Sequence, residues 1–108
     1  MISIKIFYAY GKEKPITGES SVIFNNSAET LTMQVDEPAG SVELYGTADF
    51  DSDIFYKLTG NNSSFELINK VTADGIYHFS IEGIAKIKFE AENTNKDLIV
   101  FCRMTKGV

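Results

Sequence analysis

Three aspartates at alternate positions, Asp49, Asp51 and Asp53, are the side chains best disposed to do chemistry in this 108-residue chain. Carboxylate oxygens are hard ligands, and a loop that carries several of them can hold calcium. The EF-hand loop requires glycine at its sixth position and a bidentate glutamate at its twelfth. Counted from Asp49, those positions hold Ile54 and Gly60. The pattern fails at both, so the trio is a calcium candidate only outside that template, and the plainer expectation is an acidic loop joining two strands.

Other chemistries are poorly supplied. Nucleophilic catalysis pairs a Ser, Cys or Thr with a base, and the chain offers one histidine, His78, and one cysteine, Cys102. Neither a Gly-x-Ser-x-Gly elbow nor a glycine-rich phosphate loop accompanies them. One Cys and one His also fall short of a zinc ligand set. His78 reads as an exposed strand residue and Cys102 as a small core hydrophobe. Glu90 and Glu92 share a strand face, but glycoside hydrolysis needs a facing carboxylate that the sequence does not supply. The expectation is a non-enzymatic protein without a metal or other cofactor.

Aromatic residues are the remaining candidates, with eight Phe, five Tyr and no Trp. Phe7, Tyr45 and Phe101, with either Phe55 or Tyr56, fall off the presumed core face. Exposed aromatics on a sheet mark a protein interface or a further packed layer, and can also stack on sugar rings. These five are the interface candidates.

The elements that must position them are strands. Ile2, Ile4, Ile6, Tyr8 and Tyr10 alternate with Ser3, Lys5, Phe7 and Ala9. The same two-residue period runs through Leu31–Met33–Val35, Val42–Leu44–Gly46–Ala48, Tyr77–Phe79–Ile81, Ala85–Ile87–Phe89–Ala91 and Leu98–Val100–Cys102–Met104. One buried and one solvated face is the signature of antiparallel strands over a core. Residues 21–25, 54–59 and 65–71 are weaker strand candidates. Turn-forming residues separate the segments at 11–15, 25–27, 37–40, 60–62, 74–75, 82–83 and 93–95. Ser27-Ala28-Glu29 has room for one helical turn at most. Eight or nine short strands predict an antiparallel β-sandwich, or a flattened barrel, as a single domain over residues 1–108.

Bulk properties narrow the partners. The net charge is −5. Nucleic-acid binding draws on cations that neutralise phosphates, and here Lys12, Lys14, Lys86 and Lys88 sit beside Glu13 and Glu90. No apolar run approaches the ~20 residues of a membrane helix. The opening Met1-Ile2-Ser3-Ile4-Lys5-Ile6 lacks the basic, solidly apolar form of a secretory leader. Neither nucleic acid nor membrane is an expected partner. The sequons at Asn25, Asn61 and Asn62 then mean only polar turns.

From Ser41 onward the segments acquire a recognisable order. Ser41-Val42-Glu43-Leu44-Tyr45-Gly46-Thr47-Ala48-Asp49 leads to Phe55-Tyr56-Lys57-Leu58. Gly75-Ile76-Tyr77-His78-Phe79-Ser80-Ile81-Glu82-Gly83 follows, then Ile87-Lys88-Phe89 and Leu98-Ile99-Val100-Phe101-Cys102-Arg103. This order resembles the small β-sandwich domains of tailed-phage and prophage structural proteins. It departs from them at Asp51-Ser52-Asp53, where Asp-Gly is usual, and at Phe55, which replaces tryptophan; residues 1–40 carry none of it. The resemblance implies a virion component made in a bacterial host's cytoplasm. Lacking a linker, coiled coil or long tail, the chain suits a capsid decoration protein that binds the major capsid protein from outside as a homo-oligomer. A tail or baseplate protein is the alternative, and a carbohydrate-binding or adhesion module is a further one.

Overall fold

The computed structural model describes residues 4–5, 22–25, 27–36, 40–92 and 98–105. Within them the alternating segments become strands: β1 (Ile4–Lys5), β2 (Val22–Phe24), β3 (Thr30–Val35), β4 (Ser41–Thr47), β5 (Tyr56–Lys57), β6 (Gly60–Asn61), β7 (Leu67–Ile68), β8 (Gly75–Ser80), β9 (Lys86–Glu92) and β10 (Leu98–Thr105). No helix occurs among the described residues. The strands form two sheets, ordered β1-β10-β3-β8-β6-β7 and β2-β9-β4-β5. Packed face to face they make the expected all-β sandwich.

The period-2 pattern explains the core directly. Leu31, Met33 and Val35 of β3 are fully buried, as are Val42, Leu44, Ile81, Ile87, Phe89 and Val100, with Phe79, Cys102 and Met104 close behind. These side chains from both sheets merge into one hydrophobic cluster, completed by Ile23, Ala28, Val71 and Tyr77. Burying such a side chain contributes about 1.5–3 kcal/mol, so the shared face is what holds the sheets together. Tyr77 keeps its hydroxyl satisfied by donating to the Ala73 carbonyl at 2.7 Å.

One expectation needs correction. Gly60 and Asn61, read as a turn, form β6, which pairs with β7 and, at Asn61, with His78 of β8. Glycine is there for close approach: a Cβ on Gly60 would lie 2.4 Å from the His78 carbonyl oxygen and 2.6 Å from the Phe79 ring. The turn lies further on, where Asn62 Oδ1 accepts the Ser64 and Glu66 amides at 2.9 and 3.0 Å. Phe65 closes it in the left-handed region at φ 62°. One pairing stands apart in direction. β1 runs parallel to β10, Ile4 beside Leu98, whereas every other pairing is antiparallel. A parallel neighbour requires a long connection, and here almost the whole domain lies between the two strands.

The weaker segments shrink to short strands at the sheet edges, β2, β5 and β7, consistent with their irregular alternation. The turns between long strands are tight. Ile84 N–H donates to the Ile81 carbonyl at 3.0 Å, with Gly83 at φ 82°, the positive value a type II turn demands at that place. Ser27-Ala28-Glu29 makes no helical turn; it forms a corner held by Asn25. The buried Asn25 amide donates to the carbonyls of Ala28, Ile81 and Ile84 at 3.1, 3.3 and 2.8 Å. Its Oδ1 accepts the Ala28 amide at 2.9 Å.

Candidate functional site

The outer face of the four-stranded sheet gathers most of the chain's unusual side chains. Register places Val22, Lys88, Tyr45 and Lys57 in one row across β2, β9, β4 and β5. Phe24, Lys86 and Thr47 form the next row, and Glu90 faces Glu43 on the other side. The loop from Ala48 to Phe55 folds back over this face. Lys86 Nζ fastens it by donating to the Ser52 carbonyl at 2.7 Å.

Aromatic and lysine side chains interleave there. Lys88 Nζ lies 4.8 Å from the Phe55 ring centre and 5.9 Å from that of Tyr45. Lys86 approaches Phe55 at 5.7 Å and Lys57 approaches Tyr45 at 6.0 Å. Glu43 accepts the Tyr45 hydroxyl at 3.1 Å and forms an ion pair with Lys57. The Lys57 hydrogen bond holds the Glu43 carboxyl below its ordinary pKa, against the opposing effect of burial. Tyr45 is pushed up, first by desolvation and then by the Glu43 hydrogen bond. Glu43 is 2% exposed although it points away from the core. The face expected to be solvated is instead a thin second layer, and Tyr45 and Phe55 are half-buried parts of it.

The facing carboxylate that the sequence did not reveal is therefore Glu43, opposite Glu90. Each is engaged by a lysine, Glu43 by Lys57 and Glu90 by Lys88 at 3.4 Å. A glycosidase acid needs a raised pKa, and Glu43 is displaced the other way.

Beside this layer lies an open aromatic pair. Phe24 of β2 and Phe50 of the 48–55 loop stack with ring centres 6.5 Å apart and planes 18° from parallel. They are 65% and 60% exposed. Phe50 also walls a cleft of about 370 Å³, shared with Ala28, Glu29, Glu82, Gly83, Ile84 and the Asn25 corner. Tyr56, on the opposite face of β5 from Phe55 and Lys57, is exposed at the sheet edge, as are Ile54, Phe65 and Leu67 elsewhere.

The three aspartates of the loop all face solvent. Asp49 Oδ1 accepts the Asp51 amide at 2.9 Å and the Asp49 carbonyl accepts the Ser52 amide at 3.2 Å, so this carboxylate shapes a turn. Among the described residues no group of three or more His, Cys, Asp or Glu side chains converges as a metal site would. His78 lies on the exposed face of β8, its Nδ1 3.1 Å from Thr32 Oγ1. Cys102 is buried in the core, and desolvation pushes its thiol up to about 12. Phe7, Lys12 and Lys14 lie outside the described residues. Phe101 pairs with Gln34 through its backbone, and its side chain is likewise outside them.

No protein-family model matches the chain, and no curated protein matches it by sequence. A search of solved structures finds a likeness to the crystal structure of the SPBc2 prophage-derived protein YomS. The TM-score is 0.65 at 21% identity, over 77% of this chain and 76% of that one. At that identity the two share a fold.

The alternation places Tyr45 off the core face, and it does not single out Phe24 or Phe50. Phe24 sat in an irregular segment, and Phe50 was overshadowed by the acids around it. Only the folding of the loop over β9 brings the two rings together.

Proposed function

We propose that this chain is a non-enzymatic virion structural protein of a phage or prophage, and that it decorates the outside of the head. The likeness in fold to a prophage-derived protein, over three quarters of both chains, is the observation that carries the reading. The strand order from Ser41 to Arg103 supports it independently. So does the surface, where Phe24 and Phe50 stack in the open and Ile54, Tyr56, Phe65 and Leu67 are also exposed, apolar side chains that a protein partner could cover. In this reading the main partner is the major capsid protein, and self-association into a symmetric oligomer precedes or accompanies binding. Quantitative mass spectrometry of purified particles tests it. Decoration predicts copies in the hundreds per particle, on the scale of the capsid lattice. A handful of copies would move the chain to the tail or baseplate, and absence from particles would end the virion reading.

A further inference from the structure

The stacked pair Phe24–Phe50 and the cleft beside it have a definite chemical character. Both rings are more than half exposed, and their side chains pack on each other with a face left open. Glu29 and Glu82 line the cleft that Phe50 walls. Asp49 and Asp51 flank Phe50 in its turn, with Asp53 two residues on, and all three are exposed. Lys86, beside Phe24 in the β2–β9 register, is 7% exposed and spends its ammonium on the Ser52 carbonyl and the Phe55 ring. Among the described residues, no lysine or arginine forms an ion pair with Glu29, Glu82, Asp49, Asp51 or Asp53.

We infer that this patch is a docking site for an arginine-bearing apolar segment of a partner protein. A guanidinium is planar and weakly hydrated, so it stacks on an aromatic face while its fork reaches a carboxylate. The patch presents both, since the Phe50 ring walls the cleft that Glu29 and Glu82 line. The apolar flank of such a segment would lie on Ala48 and Ile84. A sugar fits less well, because the one side-chain amide among the described lining residues, Asn25, donates to the carbonyls of Ala28, Ile81 and Ile84. The inference deepens the virion reading by naming the chemistry of the partner's contacting surface.

The test uses the isolated full chain and the peptide acetyl-Gly-Arg-Ile-Arg-Gly-amide, followed by amide NMR. The expected result is shifts confined to residues around Phe24, Phe50, Glu29 and Glu82, weakening as salt is added. Phe50→Ser should lower affinity about fivefold, the scale of one lost cation–π contact. The double variant Glu29→Gln/Glu82→Gln should lower it comparably without touching the aromatic pair. The glutamine analogue, acetyl-Gly-Gln-Ile-Gln-Gly-amide, should bind several-fold more weakly. Equal binding of the two peptides, or shifts elsewhere on the sandwich, would overturn the inference. So would shifts at these residues with cellobiose but not the arginine peptide, or a dimer in sedimentation that Phe50→Ser dissociates. Since the peptide assay needs no particle, its failure leaves the copy-number count standing, and a low copy number leaves the peptide result standing.

Discussion

Glu43 shows how a charged side chain can be kept off the core and still out of water. It points outward from β4, yet Lys57 and Tyr45 cover it and satisfy it. Its pKa is lowered chiefly by the Lys57 hydrogen bond, so its ionised form is favoured in the folded chain. A depressed carboxylate contributes stability that is present above its unfolded pKa of ~4.3 and is lost as pH falls through the lower folded value. Lys57→Met removes the partner and leaves the covered charge behind. Because Lys57 itself is partly exposed, the cost at pH 7 is expected to be about 1–2 kcal/mol, below that for breaking a fully buried pair. Urea unfolding at pH 7 and at pH 3 checks this: the difference from the native chain should shrink at the lower pH. A deficit of equal size at both values would mean that Lys57 acts by packing alone. Alternation correctly set Tyr45 off the core face, but it says nothing about what lies above that face. The loop that buries Tyr45 and Phe55 comes from the next segment, and Lys86 holds it through a backbone carbonyl that no sequence pattern displays.

At the scale of elements, the long strands were legible and the edges were not. β3, β8, β9 and β10 have clean two-residue periods because each has one face in the core and neighbours on both sides. β6 escaped notice because its two residues, Gly60 and Asn61, are turn formers by type. Its glycine is chosen by the nearness of His78 and Phe79, a tertiary demand. The corner before β3 was read as a polar turn, and its polarity turns out to be structural. Asn25 ties the end of β2 to Ala28 and to the β8–β9 turn through both ends of its amide, while buried in the wall of the sandwich. Asn25→Ala leaves the Ala28 amide and the Ile81 and Ile84 carbonyls without that partner. Unsatisfied buried groups cost about 1–3 kcal/mol each, though water entering from the adjacent cleft will offset part of the loss. We expect about 2–3 kcal/mol of lost stability by chemical denaturation. Asn25→Asp keeps the acceptor for Ala28 but turns the donor end into a charge facing carbonyls, so it should be no better than alanine. If aspartate restores native stability, the donor contacts to Ile81 and Ile84 carry little of the effect.

Across the whole molecule, most strands that pair lie far apart in the sequence. β10 lies between β1 and β3, so the last described strand pairs with residues near the start of the chain and with residues 30–35. The two sheets also interleave along the sequence: β2 and β3, neighbours in the chain, belong to different sheets, as do β8 and β9. No sheet can be finished until most of the chain is available. Such non-local pairing slows folding to the millisecond-to-second range. β10 is the piece that completes the larger sheet, and its Val100, Cys102 and Met104 pack against the core that β3 shares with the opposite sheet. A chain ending at residue 97 therefore keeps β3 and β8 but leaves the β10 side of β3 unpaired and opens the core along its length. It should show no cooperative thermal transition and no near-ultraviolet signal from fixed aromatic packing. A synthetic peptide of residues 98–108 should restore both when added in excess, because strand addition supplies the missing backbone bonds and the three core side chains together. The same peptide with Val100, Cys102 and Met104 changed to serine keeps the backbone donors and acceptors but not the apolar face, and should fail. Equal rescue by both peptides would show that edge pairing, and not burial, completes the sandwich; a shortened chain that unfolds cooperatively by itself would show that β10 is dispensable to it.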